Sequence, residues 1–145
     1  KEETSLVFDA GAANPYIVKT GGYDRTSDVI IVEINLRLGS GGKRDLGLYL
    51  SDRSGSGFAA TFFIQDGVFS FGGINERFAV DQWRTLYARY DLKNGTESYS
   101  LDPNAFPSPQ PMRNVMAARN GYSFYFYRKK NYSDAAIRSI RIYSP

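Results

Sequence analysis

Cysteine and histidine are both absent from this 145-residue chain, and each absence excludes several kinds of chemistry. Without cysteine there can be no disulfide, zinc–thiolate site, iron–sulfur cluster or thiol nucleophile. Without histidine there can be no Ser-His-Asp or Cys-His catalytic group and no imidazole acid or base. Only carboxylates, Tyr, Lys and Arg remain for catalysis. The composition therefore favours a binding protein over an enzyme.

Long hydrophobic runs and an excess of one charge are also missing. No run approaches the ~18 apolar residues of a membrane span, so we expect none. The formal net charge of +3 is too small to indicate nucleic-acid binding, and we expect no nucleic-acid partner. The cations are nevertheless 12 Arg against 6 Lys, and Arg is the forked donor that pairs with carboxylate, sulfate or phosphate.

Period-2 alternation of apolar and polar residues is the main local pattern, and it predicts β-strands rather than helices. In residues 28–38, Ile30, Val32, Ile34, Leu36 and Leu38 share one side and polar residues the other. The pair Asp66-Gly67 predicts a tight type I′ hairpin, and the proline-rich residues 102–111 predict a loop. The strands that we predict are residues 5–8, 16–19, 28–38, 45–51, 58–65, 68–72, 83–92, 96–101, 122–127 and 137–143.

These strands predict an all-β fold, a two-sheet antiparallel β-sandwich. The length predicts that residues 1–145 form a single domain. The chain shows no signal peptide and begins with Lys1. We therefore expect it to be a domain excised from a larger protein.

The second half of the chain has the layout of a known group of sandwiches. A hairpin at residues 63–67 precedes a long strand that Trp83 opens, the turn Asn94-Gly95-Thr96 follows, and residues 136–143 close the chain. This succession resembles concanavalin A-like jelly rolls of the laminin G and lectin type. That group includes the lectin domains associated with sialidases and other domains appended to bacterial carbohydrate-active enzymes.

The resemblance implies a carbohydrate-binding module of a secreted or cell-surface bacterial protein, with Trp83 packed in the core at a sheet edge. The alternative for Trp83 is a platform on which a ligand stacks. Jelly rolls of this group also include hydrolases and alginate lyases, and the catalytic motifs of both are missing from this chain. The E-x-D-x-x-E strand of the jelly-roll hydrolases is absent, since Asn35 stands two residues after Glu33. The Gln-x-His motif of alginate lyases is excluded by the lack of His. A structural Ca²⁺ occurs in such lectins, and the candidate ligands are Asp24, Asp28, Asp45, Asp52 and Asp134.

The polar sides of the predicted strands supply the candidate ligand-binding residues. Tyr rings can stack on sugars, Arg can bind carboxylate or sulfate groups, and carboxylate or amide groups can fix hydroxyls. A sandwich has two outer faces, and this set can contain residues from both. Its members are Glu33, Asn35, Arg37, Tyr49, Tyr87, Arg89, Tyr125, Tyr127 and Arg141.

The leading hypothesis is thus a non-catalytic module that binds a polysaccharide or glycoconjugate, with an anionic glycan favoured by the Arg content. Two alternatives stay open. A laminin G-like adhesion module would bind a protein through an exposed apolar patch. A small lyase or glycoside hydrolase would use Tyr or carboxylates, and in a lyase Tyr would move a proton and Arg would neutralise a uronate. The Tyr and Arg side chains can also serve only to stabilise a sheet.

Overall fold

The structure is a computed structural model that describes residues 4–7, 16–21, 28–40, 45–52, 58–114, 122–127 and 135–145. This part of the chain contains β-strands and no helix. The strands are β1 (Thr4–Val7), β2 (Tyr16–Gly21), β3 (Val29–Leu38), β4 (Leu46–Asp52), β5 (Phe58–Ile64), β6 (Val68–Phe71), β7 (Ile74–Arg77), β8 (Trp83–Asp91), β9 (Thr96–Ser100), β10 (Gln110–Pro111), β11 (Tyr122–Tyr127) and β12 (Ala135–Tyr143).

The strands form two main sheets and one hairpin. A six-stranded sheet has the order β1-β12-β3-β8-β9-β10, and a four-stranded sheet has the order β2-β11-β4-β5. The strands β6 and β7 form a separate two-stranded hairpin. Every described pairing is antiparallel. The predicted antiparallel sandwich is therefore confirmed.

The core lies between the two main sheets and follows the predicted alternation. Ile34 and Leu36 on β3 are fully buried, and they belong to the same apolar cluster as Leu48 and Leu50 on β4. Burying a side chain of this size contributes about 1.5–3 kcal/mol. Because the aliphatic side chains of β3 point inward, Glu33, Asn35 and Arg37 lie on the outer face of the six-stranded sheet.

The short strands β7 and β10 were not predicted from the sequence, whereas the turn between β5 and β6 was predicted. Strand β7 has only four residues after the tight turn at Gly72-Gly73, too few to show a pattern. Strand β10 ends in Pro111 and lies at a sheet edge, where a missing N–H donor is tolerated. The hairpin between β5 and β6 is confirmed, since Asp66 and Gly67 have φ of 48° and 71°, as a type I′ turn requires.

The loop after β9 limits the exposed part of the six-stranded sheet. The hydroxyls of Ser98 and Ser100 donate to the carbonyl oxygens of Pro107 and Ala105, each at 2.9 Å. Both serines are buried although they lie opposite Arg89 and Tyr87 on the outer side. The loop therefore covers β9, and the open surface is left to β12, β3 and β8. No described segment forms a helix of the length and apolarity needed to cross a membrane.

Candidate functional site

The predicted ligand-binding residues fall on two different sheets. Six lie in the six-stranded sheet: Glu33, Asn35, Arg37, Tyr87, Arg89 and Arg141. Tyr49 lies on β4 of the four-stranded sheet. On β11 the structure describes the backbone, and it pairs Tyr125 with Tyr49 and Tyr127 with Gly47. The outer faces of the two sheets point away from each other, so the predicted set does not form one surface.

We call the outer side of β12, β3 and β8 the charged face. Its residues include Glu33, Asn35, Arg37, Trp83, Thr85, Tyr87, Arg89, Arg138, Arg141 and Tyr143. At one end, Nη1 of Arg141 lies 3.2 Å from both carboxylate oxygens of Glu33. Tyr87 lies directly opposite Glu33 on the next strand. Burial, and after it the Glu33 carboxylate, raise the pKa of Tyr87. This end of the face is internally paired.

Trp83 and two arginines occupy the other end of the charged face. The guanidinium carbon of Arg138 lies 4.2 Å from the centre of the Trp83 ring, and that of Arg37 lies 5.8 Å away. Arg37 also contacts Asp81, with Nη1 3.4 Å from Oδ1. The prediction that Trp83 packs in the core at a sheet edge is wrong. Its strand β8 is central in the sheet, and position 83 falls on the outer side, opposite Arg37.

Three buried polar atoms on the charged face make no hydrogen bond within the described part of the chain. They are Oδ1 of Asn35, Nε of Arg37 and Nε of Arg141. The Nδ2 atom of Asn35 does have a partner, since it donates to Oγ1 of Thr85 at 3.1 Å. Buried polar atoms in folded proteins are nearly always paired, so each of these atoms calls for an explanation.

We call the outer side of β4 and β5 the aromatic face, formed by Gly47, Tyr49, Phe58, Thr61 and Phe63. The centre of the Tyr49 ring lies 4.9 Å from that of Phe58 and 5.4 Å from that of Phe63. Phe58 and Phe63 are 41% and 43% exposed, although large apolar side chains are usually covered. These rings form a continuous aromatic surface open to solvent.

Gly47 lets two of these rings lie close to the sheet. A Cβ atom at position 47 would lie 2.9 Å from Cε2 of Tyr49 and 3.2 Å from Cε1 of Phe63. Both distances are shorter than ordinary carbon–carbon contacts of about 3.5–4.0 Å. The missing side chain is therefore what allows the rings of Tyr49 and Phe63 to cover the backbone between them.

An open cleft of about 420 Å³ adjoins the aromatic face where β5 turns into β6. This volume lies within the range of small-molecule sites in proteins. Thr61, Gln65 and Ser70 give the cleft hydroxyl and amide groups, and none of the lining residues is charged. The lining consists of Thr61, Phe62, Phe63, Gln65, Val68 and Ser70.

Sequence reasoning missed Phe58, Phe63 and Arg138, each for a local reason. In β5 the residues Phe62, Phe63 and Ile64 are all apolar, so alternation cannot show that the middle one faces solvent. A register shift between β4 and β5 changes the pattern again near Phe58. Arg138 lies in a register shift of β12 between Ile137 and Ser139. The sequence signal for Phe63 was the polar Gln65 two residues later, because residues two apart lie on the same side of a strand.

A metal site receives no support from the described residues. Among them, no group of three or more His, Cys, Asp or Glu side chains is placed to hold an ion. Asp24 and Asp134 lie outside the described residues, and for Asp52 only the backbone is described. The structural Ca²⁺ stays a prediction.

Comparison with known proteins gives structural matches only. No protein-family model and no curated protein sequence matches the chain. Among solved structures, the chain is similar to a sialidase, with a TM-score of 0.67 and 12% identity over 98% of this chain. It spans only 15% of the length of that sialidase.

Two galectins have a similar extent to this chain. A galectin from Caenorhabditis elegans has a TM-score of 0.62 and 12% identity, with 98% of this chain and 96% of the galectin covered. A tetrameric galectin from the ball sponge Cinachyrella has a TM-score of 0.55 and 11% identity, with coverages of 90% and 100%. The fold is a concanavalin A-like jelly roll. At these identities, the jelly roll is what the chain and its structural neighbours share.

Proposed function

We propose that this jelly roll is a non-catalytic carbohydrate-binding module whose ligand lies on the aromatic face. The observation that carries the proposal is the ring cluster of Tyr49, Phe58 and Phe63, with Phe58 and Phe63 exposed, beside an open, uncharged cleft. A ligand that covers these two phenylalanines, each over 40% exposed, would gain the free energy of removing their apolar area from water.

The chemistry of the aromatic face suits a saccharide. A pyranose has apolar C–H faces that stack on aromatic rings, and hydroxyls that need hydrogen-bonding partners. The rings of Phe63 and Tyr49 offer the first contact, and Thr61, Gln65 and Ser70 offer the second. The absence of charged lining residues favours a neutral sugar at this site. Tyr125, paired in register with Tyr49, is a further candidate for stacking.

The structural neighbours support this proposal at the level of fold. Two of them are galectins, which are lectins by name, and the fold alone does not fix a function. The sialidase is an enzyme by name, but this chain corresponds to a small part of it. A module in this position would hold a parent protein on its polysaccharide and raise the local substrate concentration. The parent protein, the bacterial origin and the secreted or cell-surface location remain predictions.

The anionic ligand predicted from the Tyr and Arg content needs a different arrangement. Tyr49, which we propose for ring stacking, lies on the four-stranded sheet. The opposite sheet carries Arg37, Arg89 and Arg141. A preference for acidic glycans would therefore be a property of the charged face. Tyr87, Glu33 and Asn35 would then orient that ligand rather than the sugar on the aromatic face.

A binding screen with paired variants tests the proposal. Affinity gels and calorimetry with neutral polysaccharides, including galactans, glucans, mannans and xylans, should detect at least one ligand. Phe63→Ala should weaken that binding about tenfold, as expected for the loss of a stacked ring. Val80→Ala is the matched control, because Val80 is 46% exposed and lies outside the aromatic face. It should leave the affinity unchanged.

The main competing function is an adhesion module that binds a protein, which the exposed Phe58 and Phe63 also fit. The screen separates the two. Failure to bind any neutral polysaccharide, together with self-association of the chain that Phe63→Ala abolishes, would replace the carbohydrate proposal with a protein interface. Equal affinity of Phe63→Ala and the unchanged chain for a sugar would move the site off the aromatic face.

A further inference from the structure

The bulge in β12 places an arginine where regular pairing would not. Ile137 pairs with Leu36 and Ser139 pairs with Asn35, so Arg138 is an extra residue in the ladder. Bulges change the direction of a side chain and are common beside functional sites. Here the guanidinium of Arg138 reaches across β3 and lies over the ring of Trp83, on the second strand away.

The contact with Trp83 orients Arg138 without using its hydrogen bonds. At 4.2 Å from the ring centre, the guanidinium carbon is within the range of a cation–π contact, which needs no hydrogen-bond donor. The N–H donors of a guanidinium lie in its plane and point outward. Arg138 is exposed, and within the described part of the chain its guanidinium makes no hydrogen bond or ion pair.

Arg37 approaches the same ring with one of its donors unpaired. Its Nη1 contacts Asp81, and its buried Nε has no partner among the described residues. The Nε and Nη2 donors form the edge of Arg that binds a carboxylate or sulfate through two parallel hydrogen bonds. Arg37 and Arg138 with Asp81 leave one positive charge in excess at this end of the face. At the other end, Arg141 is already paired with Glu33.

We propose that Arg37, Trp83 and Arg138 form a binding subsite for the carboxylate or sulfate group of an acidic polysaccharide. Trp83 holds the two guanidiniums at one place, and the anion accepts from the outward edge of Arg138. A small turn of Arg37 exposes its Nε–H and completes the pairing. Asn35 lies two residues before Arg37 on β3, and a turn of its side chain would offer its buried, unpaired Oδ1 to a sugar hydroxyl. This subsite is independent of the aromatic face, since it lies on the opposite sheet.

Two polyanions and their uncharged parent test the subsite. Dextran sulfate supplies sulfate, polygalacturonate supplies carboxylate, and dextran is the uncharged control. We expect the intact chain to bind at least one polyanion, and Arg138→Gln or Arg37→Gln to weaken that binding about tenfold each. Arg77→Gln removes the same charge from an exposed position on β7, and it should change the affinity less than about twofold.

Substitution by Lys distinguishes a built subsite from general attraction. Arg138→Lys and Arg37→Lys keep the charge but lose the planar fork, so they should be as weak as the Gln variants. Full binding by both Lys variants, an equal loss in Arg77→Gln, or no binding of either polyanion would each overturn the subsite. Binding of neutral sugars, and its loss in Phe63→Ala, should be the same in all these Arg variants. The experiment can therefore contradict either proposal without contradicting the other.

Discussion

The aromatic face and the charged face are built by the same alternation but differ in how their side chains are satisfied. On the charged face Glu33 contacts Arg141, Arg37 contacts Asp81, and Asn35 contacts Thr85. On the aromatic face the rings of Phe58 and Phe63 contact Tyr49, and both side chains are more than 40% exposed. The side-chain pairs of the charged face stabilise its own sheet, whereas the aromatic face leaves apolar surface exposed. Removing a side chain from the charged face should therefore mainly lower the stability, whereas disturbing the aromatic face should mainly weaken binding.

The largest effect on stability is expected on the charged face. Glu33→Ala leaves the guanidinium of Arg141, which is only 28% exposed, without its carboxylate. We expect a loss of about 1–3 kcal/mol in the free energy of unfolding, measured by urea denaturation. Glu76→Ala breaks the more exposed pair with Arg84 and should cost about 1 kcal/mol or less. Equal losses in the two variants would show that the charged face is not internally paired as described.

A smaller effect on stability, with a clear effect on binding, is expected at Gly47. Gly47→Ala pushes a methyl group against the rings of Tyr49 and Phe63, which must move by a few tenths of an ångström. Because those ring ends are near solvent, we expect the unfolding free energy to change by less than about 1 kcal/mol. The affinity for a neutral sugar should nevertheless fall severalfold in calorimetry. Unchanged sugar affinity would mean that the ring positions do not matter.

The smallest effect is expected in the interior, between the two faces. Glu97 accepts a hydrogen bond from the hydroxyl of Tyr99 at 2.7 Å, and burial raises the pKa of Glu97 above its ordinary value. The folded chain therefore holds this proton more tightly than the unfolded chain. The contribution of Glu97 to stability is fully present below the ordinary pKa and is lost as the pH rises through the raised pKa.

The variant Glu97→Gln isolates this pH dependence. Gln can still accept from Tyr99 but does not titrate, so the difference in stability between the two proteins should change with pH across that window. Thermal melts at matched pH values measure it. Since Glu97 shares the inner side of β9 with Tyr99, ligand affinity on either face should not change at a pH where both proteins are folded. A pH-independent difference would refute the raised pKa.

The sequence predicts the sandwich well because its strands are long and alternate cleanly. In β3 every second residue is buried, and the buried set is the predicted one, Ile30, Val32, Ile34, Leu36 and Leu38. The Asp66-Gly67 turn follows from local backbone preference alone. Such features depend on neighbours in sequence, so they can be read without knowing the tertiary structure.

The binding faces were harder to predict because they depend on which strands are neighbours. Alternation shows that Tyr49 and Arg37 both point outward, but not that β4 and β3 belong to different sheets. The type of an aromatic residue also does not predict whether it is buried. Tyr90 and Tyr99 are fully buried, whereas Phe58 and Phe63 are exposed. The position of Arg138 over Trp83 depends on a one-residue bulge that alternation cannot reveal.

The most direct measurement of the central claim is a nuclear magnetic resonance titration of the ¹⁵N-labelled chain with the neutral saccharide that binds most tightly in the screen. The aromatic face predicts amide shifts at Tyr49, Thr61, Phe63 and Gln65, with Glu33, Arg37 and Tyr87 unchanged. Shifts that follow β3 and β8 instead, with the aromatic face silent, would contradict the claim that this jelly roll binds sugar on its four-stranded sheet.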